Sequence, residues 1–312
     1  PESVPLSCSP GSVTPGTGIV GISDPNTHEP GVIELIDDTG ARWVRAELHW
    51  SIIQPEPDGP MDFGTYDAMV DAYRARDIQV LAILTYVPPS LGRDWDAIDA
   101  GFRAFATAAV ERYAARGVHH YEVFNEPNLP GYGWLTDDDD AWTHLPDYTR
   151  LLGIANEVVR DVDPQGVVVL GGIASDQHRG LPLEDTMEVL DGYGAADCYD
   201  VFGYHPYGYQ NQFPEARDRV QAVLDAGGHP DSPVWFSEYG WTDQRSMDLA
   251  VNDTVATNPM LAAFAQKDVA DALFWFSARD YSSRPGTPTF GLADADLDRR
   301  PSFTTFQRAI AP

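Results

Sequence analysis

The sequence has few of the residues that several protein classes require. Only Cys8 and Cys198 are present among 312 residues, which excludes a disulfide-rich scaffold and a four-cysteine zinc site. One bridge that tethers the N-terminal segment and two unpaired buried thiols both remain open. A membrane-spanning helix needs about eighteen apolar residues or more, and no apolar run in the sequence approaches this length. The longest run, around VVVLGGIA, is interrupted by glycines. We therefore expect a soluble protein with no membrane span.

Basic residues are also scarce. The formal net charge is -28, and Lys267 is the single lysine among 20 basic residues. A surface of this kind repels polyanions, so nucleic acid and anionic membranes are excluded as expected partners. An acidic composition suits a habitat of high salt, where screening removes self-repulsion, but a GC-rich genome also shifts residue usage this way, and both explanations stay open.

The first residues differ in composition from the rest. The chain begins at Pro1, and PESVPLSCSPGSVTPGTG is rich in Pro, Ser and Gly. This composition is typical of a linker left after a processed export signal. We therefore expect a flexible N-terminal tail over residues 1–17 and a secreted or extracytoplasmic protein.

Short apolar runs alternate with longer amphipathic stretches through the remainder of the chain. The apolar runs are TGIVGIS, ARWVRAEL, IQVLAILTY, HHYEVF, GVVVLGGI, YDVFGYH, SPVWFSEY and DALFWFSA. Strands without polar alternation, each followed by a helix, are typical of a parallel sheet, and eight such units favour a closed (β/α)8 TIM barrel. An open doubly wound sheet is the second choice. No glycine motif of a nucleotide-binding site follows the first strand, so nothing supports a nucleotide-binding fold. We expect a single α/β domain over residues 18–312, acting as a monomer.

The active site of such a barrel lies at the carboxyl ends of the strands. Glu126 ends the fourth apolar run and Glu238 lies in the seventh, so the two carboxylates are expected to meet across the barrel mouth. Pro127 cannot donate to a sheet ladder, so the fourth strand must stop beside Glu126. The other polar residues near predicted strand ends are Arg45, Glu47, His49, Asn125, His205, Tyr207 and Asp280.

Paired carboxylates at one pocket are what glycosidic cleavage requires. One must carry a proton for the leaving oxygen, and the other must be ionised to attack or to activate water. Asn125 can hydrogen-bond a sugar hydroxyl, while Tyr207 and Arg45 can hold an ionised carboxylate. Two alternatives stay open: Arg45 as a structural partner of Glu47 or of a nearby aspartate, and His205 as a histidine packed under the site.

Aromatic residues near the predicted loops add possible sugar contacts, because flat rings suit the apolar faces of sugars. Trp134 and Trp241 follow the fourth and seventh strands, and Trp275 lies in the run LFWFS, where a core position is the default. The run Asp137 to Asp140 is interpreted as a solvated loop, since cation sites interleave their ligands with turn residues.

Together these segments resemble a known clan. VFNEPN, GYHPYG, WFSEYGW and ALFWFS, with the ending GLADADLDRRPSF, are similar to retaining glycoside hydrolases with a (β/α)8 barrel, above all families 39 and 5. The resemblance covers about residue 18 to the end. It implies Glu126 as acid/base and Glu238 as nucleophile, with site walls formed by Asn125, Arg45, His205, Tyr207 and Trp275. Many family 5 enzymes have a histidine after the third strand, where this chain offers Thr85 or Tyr86.

The sequence therefore predicts a retaining glycosidase that acts on a neutral glycan by double displacement, with carbohydrate as its partner. No metal and no organic cofactor is expected. Two other classes remain as alternatives. A metal-dependent barrel hydrolase has only His49 and His205 as histidine ligands near strand ends, and a catalytically silent glycan-binding barrel does not need both glutamates.

Overall fold

Parallel strands alternate with helices along the chain, and each of the eight predicted apolar runs contains a strand. The computed structural model describes residue 6 and residues 8–130, 141–175, 180–209, 212–242, 260–281 and 289–311, with residues 141–143 by their backbone alone. The strands are β1 Ile19–Ser23, β2 Trp43–His49, β3 Gln79–Thr85, β4 His120–Val123, β5 Val167–Leu170, β6 Ile173–Ala174, β7 Phe202–His205, β8 Val234–Tyr239 and β9 Ala272–Phe276.

Helices follow most of the strands. They are α1 Pro30–Thr39, α2 Trp50–Ile53, α3 Gly64–Arg74, α4 Trp95–Ala114, α5 Ala141–Val162, α6 Leu183–Gly192, α7 Phe213–Gly227 and α8 Pro301–Ile310. Three 3-10 turns span Pro89–Leu91, Ala195–Cys198 and Lys267–Val269. The helix predicted over NPMLAAFAQKDVAD is described only from residue 260, with helical backbone at residues 260–264.

The strands form one parallel sheet in the order β5-β4-β3-β2-β1-β9-β8-β7-β6. β5 and β6 are two halves of one barrel strand, broken at Gly171 and Gly172, so the sheet has eight strand positions. A parallel bridge between Val169 and Val201 joins its two ends and closes the barrel. A side chain at Gly172 would come within 2.0 Å of the His205 ring, so the break brings the backbone close to a site residue. The predicted (β/α)8 barrel is confirmed.

Two apolar layers make up the core. Residues that alternate along the strands fill the barrel interior, among them Leu81, Val169, Trp235, Ala272 and Phe274. The residues between them, with the inner faces of the helices, form a larger layer outside the barrel. Because both faces of each strand are covered, the strands read as continuous apolar runs.

The N-terminal segment is anchored to the amino end of the barrel. Cys8 forms a disulfide with Cys198, which precedes β7. The backbone N–H of Ser9 donates to Asn156 at 3.1 Å, and that of Gly11 donates to Asp200 at 2.6 Å. Of the two possibilities for the cysteines, the bridge is the one present, and residues 8–11 of the expected flexible tail are held in place. Among the described residues, no helix has the length and apolar character to cross a membrane.

Candidate active site

A cavity of about 470 Å³ opens at the carboxyl ends of the strands. Its walls come from the ends of β1, β2, β3, β4, β7, β8 and β9, as expected of a barrel enzyme. Five of the predicted site residues line it: Arg45, Asn125, Glu126, Tyr207 and Glu238. Residues separated by up to 193 positions in the chain therefore share one pocket.

Glu126 is placed by an unusual turn after β4. The strand ends at Val123, and both Phe124 (φ 59°) and Glu126 (φ 45°) adopt the left-handed region, which side chains other than glycine rarely occupy. Such strain is typical of functional sites, where the surrounding structure holds it. The turn leaves Glu126 only 7% exposed, and it still reaches the cavity.

His205, at the end of β7, holds the Glu126 carboxyl from below. Its Nδ1 lies 2.8 Å from Glu126 Oε1, and the imidazole is completely buried. Among the described residues, none is a hydrogen-bond partner of Nε2, so the geometry favours a proton on Nδ1 that is donated to Glu126. This corrects the prediction that His205 is a wall of the substrate site: it does not line the cavity and instead positions Glu126.

Glu238 reaches the cavity because β8 contains a register shift between Phe236 and Tyr239. Trp235 faces the barrel interior, so strict alternation would turn Glu238 toward the helices. The extra residue reverses this and directs the carboxylate to the barrel mouth. There the Tyr207 hydroxyl donates to Glu238 Oε1 at 2.8 Å.

Arg45 links the two halves of the site. One of its terminal nitrogens donates to Glu238 Oε2 at 3.0 Å, and the other donates to Asn125 Oδ1 at 2.7 Å. Its guanidinium also makes two hydrogen bonds to Glu122, at 2.8 and 2.7 Å, inside the barrel. The partner of Arg45 is thus Glu122 rather than Glu47, and Arg45 also contacts the site.

Sequence reasoning missed Glu122. It is fully buried on β4, and its Oε1 also accepts from the backbone N–H of Gly172 at 3.0 Å. The available signal was a carboxylate inside the apolar run HHYEVF, since a buried charge requires a partner.

Burial sets the protonation properties of the site. Burial raises the pKa of Glu238, with the Glu126 charge acting in the same direction, whereas His205, Arg45 and the Tyr207 hydrogen bond lower it. Burial followed by the Glu238 charge raises the pKa of Tyr207 well above its usual value, so its hydroxyl keeps the proton that it donates. Burial alone would lower the pKa of Arg45, but Glu122 and Glu238 raise it, and the guanidinium stays charged.

The aromatic wall differs from the predicted one. Trp275 is 1% exposed and packs between Tyr239 and Phe264 in the layer outside the barrel, so the prediction that it lines the site is wrong. The next residue, Phe276, faces the barrel interior and lines the cavity with Tyr281.

Of the other two predicted aromatics, Trp241 does not line the cavity. Trp241 is half-buried and packs against the outer core layer. Trp134 and the run Asp137 to Asp140 lie outside the described residues. Of the two residues suggested after the third strand, Tyr86 lines the cavity, whereas Thr85 is buried.

Among the described residues, one group has donor atoms close enough to bind a metal ion. Glu126, His205 and Glu238 each offer a ligand atom, all within 4.8 Å of one another. These donors already have other partners, because Arg45 and Tyr207 bind the two oxygens of Glu238 and Glu126 binds His205. A guanidinium at 3.0 Å from Glu238 also disfavours a second cation. The arrangement fits acid and nucleophile chemistry better than metal binding.

A parallel (β/α)8 barrel with two glutamates meeting at its carboxyl end is the arrangement expected of a glycoside hydrolase of the (β/α)8 clan. Residues 12–281 match the family described as Cellulase (glycosyl hydrolase family 5). The chain belongs to glycosyl hydrolase family 5. Among curated proteins, none matches the sequence.

Solved structures share the fold at low sequence identity. A family 39 glycoside hydrolase from Bacteroides cellulosilyticus WH2 has a TM-score of 0.72 and 17% identity, covering 94% of this chain and 63% of that one. A monomeric beta-xylosidase from Caulobacter crescentus CB15 has a TM-score of 0.67 and 19% identity over 97% of this chain and 70% of that one. The family 1 beta-glucosidase of Thermotoga maritima has a TM-score of 0.71 and 14% identity, and the match covers 94% of this chain and 97% of that one. The chain thus spans less than two thirds of the Bacteroides enzyme.

Proposed function

We propose that this glycoside hydrolase cleaves O-glycosidic bonds of a neutral oligo- or polysaccharide with retention of configuration. The observation that carries the proposal is that one carboxylate oxygen of Glu126 and one of Glu238 lie within 4.8 Å of each other at the cavity. Retaining enzymes hold their carboxyl groups about 5–5.5 Å apart, and inverting enzymes hold them about 6.5–9.5 Å apart to admit a water. The close approach supports double displacement.

In the first step, Glu238 attacks the anomeric carbon while Glu126 donates its proton to the leaving oxygen. The bond to the leaving group breaks as the bond between the sugar and Glu238 forms. In the second step, Glu126 removes a proton from water, and that water releases the sugar from Glu238. Both residues end in their starting protonation states.

The contacts of each glutamate suit its proposed role. Glu238 must be ionised to attack, and the charge of Arg45 and the hydrogen bond from the Tyr207 hydroxyl both lower its pKa, against the larger upward effect of burial. Glu126 must carry and release a proton. His205 occupies only its Oε1, which leaves Oε2 for the substrate.

The charges around the cavity support a neutral substrate. Asp24, Glu47, Glu126 and Glu238 line it, and the guanidinium of Arg45 is already bonded to Glu122 and Glu238. Among the described residues that line the cavity, Arg45 is the one cation, so an anionic sugar would meet several carboxylates there, and this disfavours uronic acids.

The test is a panel of aryl glycosides and neutral polysaccharides, with the first product observed by proton NMR before it mutarotates. Retention requires that the first-formed anomer match that of the substrate. Formation of the opposite anomer would overturn the proposed mechanism while leaving the hydrolase assignment intact. Hydrolysis of uronides alone would overturn the proposed substrate class.

We also propose an extracytoplasmic location and a monomeric state. The Cys8–Cys198 disulfide supports the location, because such bonds persist in oxidising compartments. Among the described residues, the exposed large apolar side chains are scattered and partly exposed, as at Ile52, Tyr193 and Leu261, which supports a monomer. Fractionation of the native host and sedimentation analysis test the two proposals separately.

A further inference from the structure

Glu47 is a carboxylate of the cavity that the proposed mechanism does not use. It lies on β2 two residues beyond Arg45, on the face of the strand that points into the barrel, and it lines the cavity. In the sheet it is level with Ile83 of β3, which also lines the cavity. Its side chain is 12% exposed, so part of the carboxylate remains accessible.

Two neighbours fix the orientation of Glu47. The Nε2 atom of His49 lies 2.6 Å from Glu47 Oε2, and a carboxylate can only accept from it. The His49 ring packs against Tyr86 with centroids 4.2 Å apart. Burial and then the Glu47 charge raise the pKa of Tyr86, which places the tyrosine hydroxyl in the field of this carboxylate as a protonated group.

Of the two cavity carboxylates that the proposed mechanism does not use, Glu47 is the more accessible, since Asp24 is only 2% exposed. Asp24 accepts from the backbone N–H groups of Asn26, at 2.8 Å, and Arg279, at 3.1 Å. Glu126 and Glu238 have the catalytic roles proposed above. A carboxylate offers about four lone-pair positions, and His49 takes one of those on Glu47.

The position of Glu47 relative to Glu238 indicates what it meets. The attacked anomeric carbon must lie at Glu238. Arg45 is bonded to Glu238 and precedes Glu47 by two residues on the same face of β2, so Glu47 and Glu238 line neighbouring parts of one cavity. We propose that Glu47 is a specificity-determining residue that accepts hydrogen bonds from hydroxyl groups of the glycone, the sugar ring bound at Glu238, with His49 as its positioning residue. The inference rests on the proposed glycosidase function and deepens it.

The first test pairs a change in the enzyme with a change in the substrate. Glu47→Gln and wild type are compared on the best aryl glycoside and on its monodeoxy analogues. A hydrogen bond to a charged group corresponds to a loss of about 10- to 100-fold in kcat/KM when either partner is removed. For one deoxy analogue, we expect the kcat/KM of wild type to fall by this factor relative to the parent glycoside. The kcat/KM of Glu47→Gln should fall by less than about threefold on the same analogue. Equal losses in both enzymes at every position would overturn the proposal.

Two further variants separate positioning from general damage. Glu56→Gln changes an exposed glutamate outside the cavity and is expected to match wild type on every substrate. His49→Gln keeps a donor near the position of Nε2 and should retain discrimination against the deoxy analogue, whereas His49→Ala should lose it. Loss of discrimination in Glu56→Gln, or full discrimination in His49→Ala, would contradict the assigned roles.

A binding measurement separates this inference from the proposed function. Calorimetry compares Glu238→Gln with the double variant Glu238→Gln/Glu47→Gln, titrated with a neutral oligosaccharide. A weakening of about tenfold or more in the double variant supports the role of Glu47 even if the wild type hydrolyses none of the panel, which would count against the proposed function alone. Unchanged affinity, or no binding to any neutral sugar, would overturn the inference.

Discussion

Arg45 and Glu122 form a buried pair inside the barrel, joined by two hydrogen bonds of 2.8 and 2.7 Å. Both side chains are at most 2% exposed. The same guanidinium reaches Glu238 at 3.0 Å, so one buried pair orients the cation that supports the proposed nucleophile. We therefore expect both stability and activity to depend on Glu122, which does not line the cavity.

Replacing Glu122 by Gln should lower both the stability and the activity of the enzyme. Removing one partner of a buried ion pair leaves an uncompensated charge, and such changes cost about 3–5 kcal/mol of the free energy of unfolding. We expect a loss of this size in a denaturant titration, with a fall in kcat. The matched control is Glu157→Gln, which breaks the exposed pair with Arg103 and should cost at most about 1 kcal/mol. Similar losses for the two variants would show that burial of the Arg45 pair is energetically unimportant.

Replacing Tyr207 by Phe removes the hydroxyl that donates to Glu238. That hydrogen bond lowers the pKa of Glu238 against the effect of burial, so its loss should raise the pKa further. Glu238 must be ionised to attack, and the acidic limb of the pH profile of kcat/KM should therefore move to higher pH.

Tyr121→Phe provides the control for this shift, since it removes a buried hydroxyl that donates to Val118 at 2.7 Å, at the other end of the barrel. Its acidic limb should match that of wild type. If the acidic limb of Tyr207→Phe stays at the wild-type position, the Tyr207 hydroxyl does not affect the ionisation of Glu238.

The Cys8–Cys198 disulfide should stabilise the fold without affecting catalysis. It closes a loop of 190 residues, and in the chain-entropy account a loop of this length gives about 5 kcal/mol. We expect the double variant Cys8→Ser/Cys198→Ser to unfold at lower denaturant and to keep its kcat, because the bond lies at the amino end of the barrel. A large loss of kcat at a temperature where the variant is folded would contradict this separation.

The acidic surface should make stability depend on salt. A net charge of -28 repels itself, and the Debye length falls from about 10 Å at 0.1 M to about 3 Å at 1 M salt. We expect the melting temperature to rise as sodium chloride is added. A flat or falling curve would mean that local pairs already neutralise the surface.

The sequence was sufficient to predict the barrel and the residues that converge on its mouth. Each apolar run contains a strand, and Arg45, Asn125, Glu126, Tyr207 and Glu238 share the cavity. These predictions succeed because a parallel barrel brings the carboxyl end of every strand to one rim, so a position in the chain specifies a position in space.

The direction of individual side chains was harder to predict. ALFWFS is apolar on both faces, since the interior and the helix layer both exclude water, and no alternation distinguishes Trp275 from Phe276. Glu122 was missed for a related reason. Its contact with Arg45 spans two strands that do not pair directly, and it depends on a register that composition does not encode.

The central claim is that Glu126 is the acid and base of a double displacement, and a series of leaving groups tests it most directly. The measurements are kcat/KM of Glu126→Ala on aryl glycosides with leaving groups of graded pKa, and kcat on the most activated of them with and without azide. A good leaving group departs without a proton, so we expect a loss of kcat/KM that grows steeply with leaving-group pKa. We also expect kcat on the activated substrate to recover when azide attacks the intermediate, displaces Glu238 and leaves as the glycosyl azide. An equal loss for every leaving group, with no effect of azide, would contradict the account.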